Sequence, residues 1–544
     1  MLMIITVSTT NCKMKLKLLG SFAAAIVLAA SCINVDERLA EDFIPDNQNY
    51  SFHTAVIDID DMSMEMADSL SGYSLYRIAF GAIRDDDVFG LTRRTTAFYL
   101  VPAMDTLDFG KAGTQTFKYM HLAAPYDTVS CQNPDQANIL QNVNVYALTE
   151  VMDLTKGAPD LIYDKTKRIT KGIPVFNGSD SLSFDFNEEY AKQYMSITRE
   201  ELDDLDTSLK RLPGIVISTD DPIGVGGRIN MFKLPLDYSS GTINGAYASL
   251  NFSAEYDGEV KDTSFVFYLG PVEKYDLSSA TATNISTYPQ LAYNLADHST
   301  KEMAGPVTDF AYFEGGRGLK PVVKAQSIKD KLTAEIVKNG GNIATTVISQ
   351  AYLDLPFEFP DDYKEMRYFP TTLSPTTRIV GDNGTQTFVG ITDNSISTED
   401  PGTINRSLLK YSPSITYHLQ QMLRLKDESK IENYDIWFLA MADEEITSAT
   451  TTSSELSDYY RQLAYQSYYS SMYGSGYGSG YGYNSYYSNY YNYMMMASMM
   501  NSSNTTTETQ SVMDAVRYYQ GRINGPAAER KPKLHVIYAI PVED

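Results

Sequence analysis

The sequence predicts a mainly β fold, organised as two β-sandwich, jelly-roll-like modules with a helical insertion and a long tyrosine-rich low-complexity loop. Short runs of alternating or continuous apolar residues recur along the chain between turn residues. Apolar spacing typical of helices is confined to a few segments. Many strands and few helices indicate sheets packed against one another.

Several runs have the composition of strands, being rich in β-branched and aromatic residues and bounded by turn residues. They lie at 96–101, 143–148, 215–218, 264–269, 351–357, 435–440 and 534–540. We expect the last two to be sheet partners, because they flank the low-complexity segment. Trp437 lies inside an apolar run, so we predict that it packs in the core.

Helical periodicity is clearest over 187–212, where Tyr190, Tyr194 and Leu209 are among apolar residues that recur at helix-like intervals. Pro213 and Gly214 end this pattern. We predict a helical insertion that covers the first sheet system. A second helix is predicted over 327–338.

The strand series predicts two modules, at 50–325 and 326–544. The boundary rests on the glycine-rich turn at 315–318 and the new strands after it. Within the second module, residues 453–507 consist mainly of Tyr, Ser, Gly, Asn and Met. This composition offers little aliphatic surface for a core, so we expect a disordered or partly helical excursion between strands.

The start of the chain has the pattern of a bacterial secretory leader. Lys15 and Lys17 form a basic head, and the apolar stretch 21–30 ends in small residues. This stretch is shorter than the roughly 20 apolar residues that a membrane-spanning helix needs. We interpret Met14 as the true start and residues 1–31 as a signal peptide, cleaved between Ser31 and Cys32.

Cys32 stands where a bacterial lipobox places its lipidated cysteine. The site resembles a relaxed lipobox, with small residues at Ala30 and Ser31, but with Ala29 where leucine is usual. Each buried acyl methylene contributes about 0.8 kcal/mol, so several acyl chains hold a protein on a membrane without a transmembrane helix. We predict lipid attachment, such as palmitate, at Cys32, and hence an outer-membrane lipoprotein facing the cell surface or the periplasm. The alternative is an ordinary signal peptide with an incidental cysteine.

The net charge of the mature chain limits the classes of partner that it can bind. Residues 32–49 form an acidic tether, and the whole chain has 68 acidic against 44 basic residues, a net charge of −24. Such a body repels phosphate backbones, so no nucleic-acid partner is expected. After cleavage only Cys32 and Cys131 remain, and with lipid on Cys32 no internal disulfide is expected.

No catalytic, cofactor or metal motif stands out. The five histidines, His53, His121, His298, His418 and His535, lack the spacing of metal ligands. The aspartates at 58–61 and 85–87 lack EF-hand spacing, and we interpret them as solvated turns. The glycine-rich segments 224–228 and 315–318 lack the Lys-Ser/Thr of a phosphate loop, and we interpret them as turns. Cys131 lacks a Cys-His signature, so we expect no catalysis there and no enzyme activity.

Four triplets of Asp, a hydroxyl residue and an apolar residue resemble the O-glycosylation pattern of Bacteroidota. Their candidate acceptors are Ser69, Thr106, Thr128 and Ser181.

The order of the pieces resembles a Bacteroidota lipoprotein family that is labelled only as domain of unknown function 4270. Besides the lipobox, the resemblance rests on four segments, 83–90, 142–150, 313–320 and 531–538. The last, a proline followed by alternating apolar residues, also looks like the closing strand of jelly-roll modules in bacterial surface proteins. Neither likeness carries a function by itself.

These features favour a lipid-anchored envelope lipoprotein with a non-catalytic binding or scaffolding role. A glycan-binding or glycan-active surface protein is one alternative. An accessory subunit of an outer-membrane complex is the other. A cleft with two convergent carboxylates would favour the enzyme, and a large exposed apolar patch would favour the complex.

Overall fold

The structure is a computed structural model, and it describes part of the chain. It covers residues 50–542 except 75, 86–87, 103–106, 132–133, 154–157, 235–236, 240–241, 271–289, 381–385, 397 and 450–504. The predicted signal peptide and acidic tether, with Ser31 and Cys32, lie outside this range, as does most of the low-complexity segment.

The described residues form thirty strands and five α-helices. The strands of the first half are β1 (Tyr50–Asp58), β2 (Met62–Met66), β3 (Tyr73–Ser74), β4 (Arg77–Arg84), β5 (Leu91–Pro102), β6 (Thr116–Ala124), β7 (Tyr126–Cys131), β8 (Gln141–Leu148), β9 (Tyr163–Arg168), β10 (Val175–Phe176), β11 (Leu182–Asp185), β12 (Ile215–Thr219), β13 (Gly226–Lys233), β14 (Asp237–Ser239), β15 (Thr242–Asn244), β16 (Tyr247–Tyr256), β17 (Glu259–Gly270) and β18 (Ala292–His298). Those of the second half are β19 (Gly305–Pro306), β20 (Phe310–Glu314), β21 (Leu319–Val323), β22 (Val347–Pro356), β23 (Thr372–Val380), β24 (Gln386–Gly390), β25 (Ile404–Asn405), β26 (Lys410–Tyr411), β27 (Ile436–Ala449), β28 (Thr505–Met513), β29 (Gln520–Asn524) and β30 (Lys533–Pro541). The helices are α1 (Glu188–Tyr194), α2 (Arg199–Asp203), α3 (Leu205–Arg211), α4 (Ala325–Lys338) and α5 (Thr416–Leu423).

The prediction of a mainly β fold is confirmed. Each of the seven runs predicted as strands contains or overlaps a strand, namely β5, β8, β12, β17, β22, β27 and β30. All the pairings between described strands are antiparallel, and they build several sheets.

The first body is a fourteen-stranded antiparallel sheet made from strands between β3 and β18. The sheet contributes to one apolar core with residues from β4, β5, β6, β8, β12, β16 and β17. Helix α1 closes this core with Tyr190 and Tyr194, whose hydroxyl groups are 2.9 Å apart. The predicted helical insertion therefore does cover the first sheet.

The single helix predicted over 187–212 is three short helices. Asn187 caps α1, its side chain accepting a hydrogen bond from the amide of Tyr190. Thr198 forms a capping box with Glu201 and starts α2, and the side chain of Asp204 caps α3. Each cap residue has an extended backbone, so the helical periodicity continues while the helix itself is interrupted.

The second body has a sheet packed on a sheet. The five-stranded sheet has the order β1-β30-β22-β26-β25, and the seven-stranded sheet contains β19, β2, β21, β27, β23 and β24 in order, with β28 beside β27. Both sheets place apolar side chains in one core, where α4 and α5 also pack. The prediction of a helix at 327–338 is confirmed with an earlier start, and α5 was not predicted.

The boundary predicted at residues 325 and 326 needs correction. Strand β1 pairs with β30 along its whole length, from Tyr50 opposite Pro541 to Asp58 opposite Lys533. Strand β2 pairs with β21. The first described strands and residues 305–325 therefore belong to the second body, while the first body lies within 73–298. Because β1 and β30 lie near opposite ends of the described chain, their pairing brings together segments that are far apart in the sequence.

The expected pairing between the strands at 435–440 and 534–540 is wrong. Strand β27 pairs with β21, β23 and β28, whereas β30 pairs with β1 and β22. Residues 505–507, which were assigned to the low-complexity segment, lie in β28. Trp437 is 1% exposed and packs against Phe388, so its predicted core position is confirmed.

Candidate functional site

The most concentrated set of buried charges lies where the two bodies meet. Segment 514–519, between β28 and β29, packs on the face of β4 and β13 that points away from the core of the first body. Val516 contacts Ala79 and Met231, and Tyr518 contacts Ile83 and Ile229. These two apolar contacts exclude water from the polar groups beside them.

Five ionisable residues form what we call the interface cluster. Arg94 and His298 come from the first body, and Glu314, Lys320 and Asp514 come from the second. Arg94, Glu314 and Lys320 are each 1% exposed, and Asp514 is 4% exposed. Burying charge is costly unless each group has a partner, so their contacts decide what the cluster does.

Arg94 reaches across the interface from β5. It stands opposite Gly81 of β4 and Ala296 of β18. Its Nε donates to the carbonyl of Val516 at 3.1 Å, and its Nη2 donates to the carbonyl of Arg517 at 3.1 Å. Burial lowers the pKa of Arg94 to about 10. The side chain therefore ties the first body to the backbone of segment 514–519.

His298 and Glu314 face each other in the middle of the cluster. The His298 Nδ1 lies 2.8 Å from Glu314 Oε1, and its Nε2 lies 3.3 Å from the Nη1 of Arg94. Because Arg94 is a donor only, Nε2 accepts and Nδ1 carries the proton. Burial leaves the pKa of His298 below its usual value, because the opposing charge and hydrogen bond of Glu314 do not outweigh it, and repulsion from Arg94 and Lys320 lowers it further.

Glu314 accepts hydrogen bonds on both carboxylate oxygens. Its Oε2 accepts from the hydroxyl of Thr300 and, at 3.1 Å, from the amide of Leu319. Burial alone would raise the pKa of Glu314, but the facing His298 and these hydrogen bonds lower it below its usual value. The carboxylate is therefore held ionised inside the protein.

Lys320 completes the cluster from β21. Its Nζ donates to the carbonyl of Glu314 and, at 3.1 Å, to that of Gly318. Burial lowers the pKa of Lys320 to about 7. Gly316, in the turn before β21, has φ +57°, and a Cβ there would lie 3.0 Å from Ala296. This glycine lets the turn approach the first body closely.

A second group of charges borders the cluster. Arg77 of β4 pairs with Asp127 at 2.5 Å and also with Glu444 of β27. Glu444 also lies 3.2 Å from Nη2 of Arg517. Burial raises the pKa of Glu444 and of Asp514, although facing arginines oppose that shift. Of these ion pairs, the one between Arg77 and Glu444 joins residues of different bodies.

The arrangement suits cohesion better than catalysis. The hydroxyl of Thr300 and the imidazole of His298 both contact the carboxylate of Glu314, so these three residues do not form a relay of the form hydroxyl, imidazole, carboxylate. The side chains of His298 and Glu314 are 2% and 0% exposed, which denies a substrate direct access. The cluster therefore joins the two bodies through charge-assisted hydrogen bonds.

The candidate glycosylation acceptors have different surroundings. Ser181 is exposed just before β11, and Thr128 is half-buried in β7. The hydroxyl of Ser69 is buried without a hydrogen-bond partner, so a sugar there would require local movement. Thr106 lies outside the described residues. Cys131 ends β7, half-buried, and burial raises the pKa of its thiol, which disfavours the reactive thiolate.

The other acidic and glycine-rich motifs are structural where they are described. Asp58 pairs with Lys531 and Asp60 pairs with Lys331. Residues 315–318 form the predicted turn, whereas Gly226 and Gly227 open strand β13, where the Gly227 amide donates to the side chain of Gln136. Over the described ranges, no group of three or more His, Cys, Asp or Glu residues could hold a metal ion.

The interface cluster is not predicted by any motif in the sequence. Lys320 offered one signal, since it is a lone charge between apolar residues of a strand, and Arg94 offered a weaker one beside the run 96–101. No helix among residues 50–542, outside the gaps given above, is long and apolar enough to cross a membrane. Comparisons of the chain with protein-family models, curated proteins and solved structures found no match. The resemblance to the lipoprotein family stays a prediction.

Proposed function

We propose that this chain is a lipid-anchored envelope lipoprotein whose β body has a non-catalytic binding or scaffolding role at the outer membrane. The observation that carries the proposal is the cysteine at the exit of a short secretory leader. The basic head, the short apolar stretch and Ala30-Ser31 place Cys32 where a lipoprotein signal peptidase would cleave. Acylation of that cysteine would retain the whole body at a membrane.

The chemistry of the interface cluster supports a non-catalytic role. Strongly shifted pKa values in a cleft would suggest an active site. Here the shifted groups Arg94, His298, Glu314 and Lys320 bond one another or backbone carbonyls across the junction of two bodies. Their shifts are explained by that burial and pairing.

The attachment point of the tether also fits an anchored body. The described chain begins with β1 at Tyr50, directly after the acidic segment, and β1 is held by nine residue pairs with β30. A pull on the tether would therefore be transmitted to a sheet of the second body.

The anchor is tested by Cys32→Ala, with Cys131→Ala as the matched control. We expect fatty-acid labelling to disappear and the protein to move to soluble fractions in Cys32→Ala, because the acyl chains supply the membrane affinity. Cys131→Ala should keep both the label and the membrane fraction. Label that persists in Cys32→Ala would overturn the proposal.

The binding role is tested by affinity capture from detergent-solubilised envelopes, compared with a glycan array probed with the Cys32→Ala protein. A specific envelope protein captured with the body would support scaffolding. Turnover of a glycan by the body would overturn the non-catalytic assignment.

A further inference from the structure

The outer face of the five-stranded sheet has an apolar end and a charged end. In β1, Ala55 and Ile57 point into the core, so alternation places Tyr50, Phe52 and Val56 on the outer face. The register of β1, β30 and β22 then aligns the outward residues in rows. From the Tyr50 end, these rows are Tyr50 and Pro541; Phe52, Ala539 and Val347; Thr54, Ile537 and Gln350; Val56, His535 and Tyr352; and Asp58, Lys533 and Asp354.

We use the name apolar end for Tyr50, Phe52, Val347 and Ile537. Phe52 is 69% exposed, Tyr50 is 47% exposed and Val347 is 37% exposed. At the opposite end of the same face, Asp58 pairs with Lys531 and Asp354 pairs with Lys410. Two of the three exposed apolar residues of β1, Tyr50 and Phe52, thus lie where the chain enters the sheet, and the third, Val56, is 54% exposed and lies nearer the charged end.

The position of Cys32 decides what this end can meet. Residues 33–49 separate Cys32 from Tyr50. A chain of that length spans at most about 60 Å when fully extended. The apolar end begins at Tyr50 itself, so it is the part of the described body that is closest along the chain to the anchor.

We propose that the apolar end docks on the surface of the bilayer that holds the lipid of Cys32. This inference rests on the proposed lipid anchor. Tyrosine and phenylalanine insert readily at the boundary between headgroups and acyl chains, since one ring face is apolar and the tyrosine hydroxyl stays hydrated. The anchor keeps this boundary within reach, so even a weak contact is favoured by a high local concentration.

The net charge of the protein favours one kind of bilayer over another. The chain has a net charge of −24, which disfavours approach to anionic headgroups. A surface of zwitterionic lipid avoids this repulsion and lets the apolar side chains contact the acyl boundary. Docking would place the sheet's charged end, with Asp58, Lys533 and Asp354, farther from the bilayer.

Tryptophan fluorescence tests the docking. Trp437 is the one native tryptophan, and at 1% exposure it gives a constant buried background. Phe52→Trp places a reporter in the apolar end. Phe359→Trp is the matched control, since Phe359 is 56% exposed and lies just past the opposite end of β22.

The chain from Cys32 to Asp544 carries Cys131→Ser and is coupled through Cys32 to a maleimide phospholipid in phosphatidylcholine vesicles. Lipids brominated near the glycerol end of their acyl chains quench tryptophans that reach the acyl boundary. We expect about twofold quenching of the added emission in Phe52→Trp and none in Phe359→Trp, because only an inserted ring contacts that boundary. Circular dichroism should show that both variants fold alike.

Three results would overturn the docking. The first is no quenching of the tryptophan at position 52 in vesicle-attached protein, and the second is equal quenching at positions 52 and 359. The third is that copies of the protein associate on the vesicle and shield position 52 from the lipid. The coupling is chemical, so it does not depend on acylation in the cell. Failure of labelling at Cys32 in cells would overturn the anchor, whereas these results would overturn the docking alone.

Discussion

Lys320 shows how a single buried charge makes stability depend on pH. Its amine is enclosed between the two bodies and donates to backbone carbonyls of Glu314 and Gly318. Folding lowers its pKa from 10.5 to about 7. Between these values the unfolded chain binds more protons than the folded chain, so the stability contributed by this group rises with pH across that window. Below pH 7 the full free-energy cost of burying the charged amine is present.

We therefore expect Lys320→Met to change the pH profile of the free energy of unfolding. From pH 7 to pH 9, the unaltered chain should gain about 2 kcal/mol relative to the variant, because one pKa unit corresponds to about 1.4 kcal/mol. Urea unfolding at several pH values measures the difference. Lys338→Met, at an exposed position that pairs with Glu335, should run parallel to the unaltered chain. A constant difference between Lys320→Met and the unaltered chain would contradict the shift.

Residue-scale predictions from sequence succeeded for apolar groups and failed for buried charges. Trp437 was predicted in the core because its neighbours in the run are apolar. Arg94 looks like an ordinary surface residue in sequence, since its partner Val516 lies more than four hundred residues away. Burial of a charge depends on such tertiary partners, which composition does not reveal.

At the scale of single elements, α5 shows a helix fixed by a distant cap. Asp393 is 1% exposed, and its carboxylate accepts hydrogen bonds from the amides of Tyr417 and His418 at 2.9 and 3.0 Å. These amides belong to the first turn of α5, where intrahelical acceptors are lacking. The helix was not predicted because its cap lies more than twenty residues upstream.

Asp393→Ala should destabilise the protein by about 2 kcal/mol or more, since loss of a cap costs about 1–2 kcal/mol and the freed amides stay buried. Chemical denaturation measures the change. Asp362→Ala is the control, because Asp362 caps the exposed turn that begins at Tyr363. An effect of Asp393→Ala no larger than that of the control would show that the cap contributes little.

Strands were easier to predict than their partners. The runs at 143–148 and 534–540 became β8 and β30 because alternation is a local property. Pairing is not local, as β1 and β30 join the two ends of the described chain. The helical periodicity at 187–212 was also local, but the caps at Thr198 and Asp204 divided it.

At the scale of the whole molecule, segment 514–519 couples the two bodies. The Val516 side chain is 4% exposed and packs between Ala79 and Met231. The backbone carbonyl of the same residue accepts a hydrogen bond from Arg94. A carboxylate at this position would be buried against the apolar side chains of Ala79 and Met231. The cohesion of the bodies should therefore depend on this side chain.

We expect Val516→Asp to separate unfolding into two transitions, with a loss of about 3 kcal/mol at the interface from the buried charge. Differential scanning calorimetry distinguishes this from one shifted transition. Val380→Asp, at a position 46% exposed, should leave the profile unchanged. A single transition for Val516→Asp would mean that the remaining contacts keep the bodies coupled.

Strands β27 and β28 allow a sharp test of the low-complexity segment between them. Ala449 and Thr505 are directly paired, and the pairing continues to Met441 opposite Met513. The intervening segment therefore leaves and re-enters the sheet at adjacent positions, and a much shorter connection can join the same two strands. The sequence predicts an excursion here, but the strand that pairs with β27 after it is β28 and not β30.

Deleting Ser470 to Asn504 should leave the fold intact and change the melting temperature by no more than about 4 °C, the shift that about 1 kcal/mol produces in a much smaller domain. Its serines and glycines would lose backbone entropy on ordering, with little aliphatic surface to offset that cost. Loop-closure entropy grows only logarithmically with length, so the shorter connection should slightly favour the pairing of β27 and β28. Calorimetry and limited proteolysis measure the outcome. Loss of cooperative unfolding in the deletion variant, or protease resistance of this segment in the intact protein, would instead show that its tyrosines pack on the body.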